Sequence, residues 1–343
     1  MQLRVHSPDD LIAAVPHLLG FEPKDSMVLV PFDPGMPVAR VDLPRTDAER
    51  AQVVGELRGP ILRHATPGAR LGVLCVTEDW SAAVQANRAI TAALTPHVEV
   101  PLQLWVTADA WTDLVSGFSA GRTAGAENRI DFEVVAAGRA LPAESREDLQ
   151  ASLIGDQQPV RDVLPHARDH WSRSTPTHEK HWVSERIDRF RDDGMRLDDP
   201  DAARLLVGLQ SIAVRDAAWG RIDRVDQDAH HALWRDLTRR APDEVRTPAA
   251  SLLAFASWLG GNGAAAWCAL DQIPEQDRQY PMATLVASAV QGGLHPSAWE
   301  DIRISALPVQ GSEEPPPADL PRRPAPEPPA TAAGLTRQRP PTR

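Results

Sequence analysis

Leu71-Gly72-Val73-Leu74-Cys75-Val76-Thr77-Glu78-Asp79-Trp80 is an apolar run that stops abruptly at a Thr and an acid. A strand covered on both faces reads this way, with no polar alternation. Thirty residues on, Leu104-Trp105-Val106-Thr107-Ala108-Asp109 repeats the ending, and the intervening Ser81 to Leu94 has helical spacing. Strand, helix and strand at that interval predict a βαβ unit with parallel strands and a right-handed crossover. The N-terminal part is therefore expected to be α/β.

Outward from this unit, Met27 to Phe32 is β-prone, Asp33-Pro34-Gly35 is turn chemistry, and Val38 to Leu43 alternates with period two. These predict an antiparallel hairpin with one polar face, on which Arg40 and Asp42 form a candidate surface pair. Before it, Ser7-Pro8-Asp9-Asp10 starts a helix, Pro16 bends or interrupts it, and Gly20 supplies a left-handed exit. Thr46 to His64 has helical spacing, Ile130 to Ala136 is expected to be a further strand, and Ser145 to Ile154 a helix with acids in its first turn.

Between Gly155 and Pro176 the pattern weakens, and beyond His178 it turns helical. Single helices are expected over Ala202 to Trp219 and His230 to Arg240. In the first of these, Leu205, Leu206, Leu209, Ile212 and Ala213 face inward. Seven of the ten tryptophans lie from Trp171 onward, which predicts helix-packing aromatics. Thr247 through Leu270 is uncharged, but Gly260-Gly261-Asn262-Gly263 interrupts it, so a hairpin of two helices is expected in place of a membrane span. From Pro308 onward Pro and Arg dominate without apolar periodicity. The resulting plan is an α/β domain over 1–155 with a mixed sheet, parallel βαβ unit and N-terminal hairpin. A linker over 156–176, an all-α domain with a tetratricopeptide-like hairpin over 177–305, and a disordered Pro-rich tail over 306–343 follow.

Of the 343 residues 42% are hydrophobic, enough for sizeable cores, and the formal charge of −11 opposes nonspecific nucleic-acid binding. Only Lys24 and Lys180 are lysines, so the Arg content reflects genome composition and marks no site. Cys75 and Cys268 stand alone in apolar surroundings and read as buried hydrophobes of a cytoplasmic protein, and no signal peptide is evident. No cofactor, metal centre, nucleic-acid contact or membrane association is expected.

Ligands of open parallel sheets collect outside the carboxyl ends of the strands. Thr77, Asp79, Thr107 and Asp109 are therefore the candidate ligand or metal edge. They could hold a divalent ion or orient a water, or each Asp could simply cap the next helix. No glycine-rich phosphate loop follows either strand. His166, His170, His178 and His181 read as linker histidines, since no cysteine or HExxH order accompanies them. Ser26, Ser145 and Ser174 carry no nucleophile-elbow pattern, and no residue is assigned a catalytic role.

Asp10 to Ser26, with its Ala14-Val15-Pro16-His17-Leu18-Leu19-Gly20-Phe21-Glu22-Pro23-Lys24-Asp25-Ser26 core, and Arg40-Val41-Asp42-Leu43-Pro44 resemble an actinobacterial family built on a domain of unknown function. Ala137-Gly138-Arg139, Ser145-Arg146-Glu147, Val214-Arg215-Asp216-Ala217 and Leu252 to Leu259 extend the resemblance to about residue 303. It implies no activity. The leading expectation is a cytoplasmic binding or scaffolding protein for an unknown protein or small-molecule partner. The alternative is a metal-assisted hydrolase acting on a small or phosphorylated substrate at the strand edge.

Overall fold

Ser7 opens the first helix, α1 (Pro8–Leu19): its hydroxyl accepts from the Asp10 backbone N–H, and Pro8 fills the first position. The helix runs through Pro16 and ends at Gly20, whose φ of 85° favours glycine and whose Cβ would meet Asn262 Nδ2 at 3.2 Å. Next, β1 (Ser26–Pro31) and β2 (Ala39–Asp42) form the expected antiparallel hairpin, Met27 opposite Val41. A capping box of Thr46 and Glu49 starts α2 (Asp47–His64). Then β3 (Arg70–Val76), α3 (Trp80–Leu94) and β4 (Glu99–Val106) make the expected unit, with β3 and β4 parallel and Cys75 opposite Trp105. Two further strands, β5 (Ala110–Asp113) and β6 (Ser119–Gly121), complete a sheet of order β2-β1-β3-β4-β5-β6. This computed structural model describes residues 5–33, 36–136 and 140–299. The expected tail over 306–343 lies outside them, as do Ala137-Gly138-Arg139 and Pro34-Gly35.

Period-two alternation sorts the sheet into two cores. Met27, Leu29, Val73 and Cys75 meet Ala83, Ile90 and Leu94 of α3 on one face, while Val28, Val30, Leu74, Leu104 and Val106 meet Leu11, Val15 and Leu19 of α1 on the other. The hairpin's polar face is thus confined to β2. In β1 both faces are buried, because β3 pairs its other edge and places it inside the sheet.

The expected strand over Ile130–Ala136 is instead the end of a helix, α4 (Ala124–Ala136). Its alternating Ile130, Phe132 and Val134 fit a strand, but Ile130 and Val134 also share a helical face, and these two pack on Ala13 of α1 while Phe132 stays 74% exposed. Ser145 caps the short α5 (Arg146–Ala151). The stretch expected as a linker carries α6 (Gln158–Arg173), whose Val160, Leu164 and Ala167 belong to the helical core.

Beyond it come α7 (Pro176–Asp193), α8 (Asp199–Gly208), α9 (Ile212–Trp219) and α10 (Gln227–Arg240). The helix expected over Ala202–Trp219 is broken at Leu209-Gln210-Ser211, which leaves Ile212, 67% exposed, and Ala213 outward-facing, against the expectation for both. Gly208 weakens the helix there, and the chain restarts after Ser211. The expected hairpin is α11 (Asp243–Leu259) and α12 (Gly263–Leu270): Gly261 adopts a φ of 83°, and Asn262 caps α12 by accepting from the Ala265 N–H at 2.8 Å. After them comes α13 (Pro281–Gln291). As expected, tryptophans pack helices: Trp219 stacks on Trp299 at 5.1 Å and meets Phe255 edge-on at 5.5 Å.

The helical core is separate from the two sheet cores, yet Met1–Ile302 forms one unit. The halves are pinned by Arg63 donating to the Gly292 carbonyl at 2.7 Å and by the Arg146–Asp271 ion pair at 3.0 Å. None of the described helices is long and apolar enough to cross a membrane.

Candidate functional site

Because β1 runs antiparallel to β3, Ser26 lies opposite Val76, and the start of one strand meets the end of the other. Asp25 enters β1 with a φ of 43°, a left-handed conformation that Asp tolerates better than most residues. Thr77 Oγ1 donates to Asp25 Oδ1 at 2.6 Å and accepts from the Asp79 N–H at 3.2 Å. Asp79 caps α3 by accepting from the Ala82 N–H at 3.0 Å. The Arg45 guanidinium lies 3.1 Å from Asp25 Oδ1 and 3.5 Å from Asp79 Oδ2, bridging the two carboxylates. Beside them Arg40 donates to Ser26 Oγ at 3.0 Å and pairs with Asp42 at 2.7 Å. Lys24, Asp25, Arg40, Asp42, Arg45 and Arg146 line a polar cleft of about 300 Å³.

Thr77 and Asp79 thus share an edge with Arg40 and Asp42, whereas Thr107 and Asp109 are engaged otherwise. Thr107 closes a tight turn directly into β5, its N–H donating to the Ala110 carbonyl at 2.8 Å and its hydroxyl meeting the same residue at 3.1 Å. The helix-cap reading of Asp109 is therefore corrected: a strand follows it, and its carbonyl accepts from the Arg122 N–H at 2.8 Å. Among the described residues no group of three or more His, Cys, Asp or Glu side chains is arranged to hold a metal ion.

The histidines around residue 170 gather on a carboxylate that the sequence did not single out. Glu179 is buried and takes two hydrogen bonds from Arg204 at 3.0 Å each, one from Ser174 at 2.6 Å, and contacts from His170 at 3.2 Å and His178 at 3.3 Å. Burial by itself would raise its pKa, but the hydrogen bonds from Arg204, Ser174 and His178 outweigh it and hold the carboxyl down at about 2. His181 pairs with Glu185 instead. Cys75 and Cys268 are buried and unpaired, and desolvation pushes the Cys75 thiol up to about 12, away from nucleophilic chemistry at neutral pH.

A further feature lies on the α1 side of the sheet. A cavity of about 820 Å³ runs along α1, lined among others by Leu11, Ala14, His17, Val30, Leu102 and Val134. His6 and Ser7 contribute polar groups to its lining, and so does the imidazole of His17. The ring is 7% exposed, its Nε2 lies 2.8 Å from Asp131 Oδ1 of α4, and its Nδ1 is buried without a hydrogen-bond partner among the described residues. The only trace in the sequence was a histidine on an apolar helical face with Leu11, Ala14 and Leu18. Its partner is 114 residues away.

The chain is thus a mixed-sheet α/β layer joined to a helical array, with an apolar cavity on one sheet face and a polar cleft at the strand edge. Residues 8–297 match the family defined by a domain of unknown function, DUF4192, and the chain belongs to that family. No curated protein matches it. No solved structure does so either.

Proposed function

We propose that the protein is a binding protein whose ligand is a small organic molecule with a largely apolar body, held in the cavity along α1. The carrying observation is the cavity itself: its volume of about 820 Å³ lies within the roughly 300–1,000 Å³ of small-molecule sites, and its lining is mainly apolar, with His6, Ser7 and His17 as its polar members. The two buried, unpaired cysteines support a cytoplasmic location.

The hydrolase alternative at the strand edge draws less support. Arg45 already supplies a cation between Asp25 and Asp79, so a divalent ion would have to displace it. Thermal unfolding of the full chain with magnesium, manganese or calcium at millimolar concentration is expected to leave the midpoint unchanged, and a rise would revive the hydrolase reading.

Native mass spectrometry of the protein as purified tests the binding reading. A noncovalent small molecule is expected, released on denaturation and absent from Ala14→Leu, which narrows the cavity from within α1. Retention of the same molecule by a folded Ala14→Leu protein would place binding elsewhere.

A further inference from the structure

We infer that the free edge of β2 takes up an extended segment of a partner protein as an added strand, with basic side chains of that segment lying over α2. This surface shares no lining residue with the α1 cavity, so the inference stands apart from the binding reading above. Three observations carry it.

The first is the state of the edge. β2 closes one side of the sheet, and all four of its residues keep some exposure to solvent. The Leu43 N–H donates to the Asp25 carbonyl at 2.8 Å, and Val41 and Ala39 stand opposite Met27 and Leu29 in the same register. Antiparallel pairing alternates, so these odd-numbered residues bond to β1 while the main-chain N–H and C=O groups of Arg40 and Asp42 point away from it. None of those groups has a main-chain partner among the described residues. Such a row is a template for another strand.

The second observation is the shape beside it. A groove of about 500 Å³ runs between this edge and α2, with Val41 on one wall and Glu49, Val53 and Glu56 on the other. Val41 and Val53 pack on the core that α2 and α3 cover, whereas the Arg40 guanidinium lies on the other face, 5.8 Å from the centroid of the Phe21 ring. There Arg40 and Asp42 line the polar cleft described above. An added strand would therefore send alternate side chains into two depressions, which is how strand addition acquires specificity.

The third observation is charge. Arg40 is already paired with Asp42, and Arg45 with Asp25 and Asp79. Glu49 accepts from the main-chain N–H groups of Arg45 and Thr46, and Glu56 from the Gln52 amide, all of them neutral donors. Two carboxylates about two helical turns, or roughly 10 Å, apart on α2 are thus left for cationic side chains. Four residues of strand span roughly 13 Å, so basic side chains at that interval reach both. Two-fold pairing of β2 with a second copy of the chain would set these glutamates against their own equivalents, which favours a basic partner.

The test uses the full chain and the blocked peptide Thr-Arg-Thr-Val-Thr-Arg-Thr, in which both arginines and the valine share one face of a strand. Calorimetric titration is expected to show binding, weakened about tenfold or more when both arginines become glutamate, and about two- to fivefold for the parent peptide in Glu56→Gln. Methyl groups on the peptide's amide nitrogens decide the mode. The two threonines flanking the valine would exchange hydrogen bonds with Arg40 and Asp42, so methylating their nitrogens should weaken binding about tenfold or more. Methylating the valine nitrogen, which faces solvent, should leave it within about twofold. In NMR of labelled protein the Arg40 and Asp42 amide protons are expected to move downfield with the parent peptide. Failure of that peptide to bind, equal binding of the two methylated forms, or a tighter glutamate peptide would overturn the inference. A dimer of the protein alone in sedimentation, with the Arg40 and Asp42 amides already protected from exchange, would assign the edge to a second copy and overturn it as well.

Discussion

The sheet face under α2 and α3 is filled by Met27, Leu29, Val73, Cys75, Ile90 and Leu94, whereas the face under α1 leaves about 820 Å³ beside Leu11, Val30 and Leu102. Strands lie about 4.8 Å apart and a helix is about 10 Å across, so one helix covers roughly two strands. Two helices close the first face, and the small Ala82, Ala83 and Ala86 let α3 approach closely. The second face has α1 with α4 resting on α1 at Ala13, and the remaining width becomes a cavity. The same alternating strands therefore build a solid core on one side and a receptacle on the other.

The largest expected effect that tests this contrast is a pair of truncations. Ile90→Ala, in the filled face, should cost about 2–5 kcal/mol in urea unfolding, while Leu11→Ala, already beside open space, should cost near or below the ~2 kcal/mol lower end. Equal losses would mean that the α1 face is as tightly packed as the other.

Enlargement should separate the faces in the opposite sense. Ala86→Leu overpacks a closed core and is expected to cost about 1–3 kcal/mol, whereas Ala14→Leu grows into the cavity and should cost less than about 1 kcal/mol. A severe penalty at Ala14 would break the comparison.

The smallest effects concern the caps that start the two covering helices. Asp79→Ala and Ser7→Ala should each cost ~0.5–2 kcal/mol, and Asp79→Asn only a few tenths, because Asn keeps the acceptor for the Ala82 N–H. If Ser7→Ala proved silent while Asp79→Ala did not, α1 would be held mainly by its apolar face. Thermal melts of the three variants read this directly.

Much of the architecture was legible wherever the signal is local. The run Leu71–Val76, its echo at Leu104–Val106 and the break at Gly260-Gly261 each specify an element from their own residues. The misreadings share a cause. Ile130–Ala136 satisfies both the strand and the helix period over so short a run, and only its contact with Ala13 decides. Residues 156–176 looked weak because α6 buries just Val160, Leu164 and Ala167 among polar neighbours, a face that needs α8 beside it to be recognised as core. β5 and β6 span only Ala110–Asp113 and Ser119–Gly121 and carry little pattern of their own.

By itself the sequence determined several helix starts, the parallel β3–β4 pair, the hairpins, the placement of Thr77 and Asp79 just past the end of β3 and of Arg40 and Asp42 together on β2, because capping, turn chemistry and periodicity act within a few residues. Tertiary structure alone decided that Arg45 bridges Asp25 and Asp79, that Glu179 gathers Arg204 with His170 and His178, and that His17 meets Asp131 across 114 residues. These pairings depend on which elements become neighbours when apolar faces are buried, and burial is non-directional: it fixes that faces must meet without naming, in any local stretch, the side chains that will face each other.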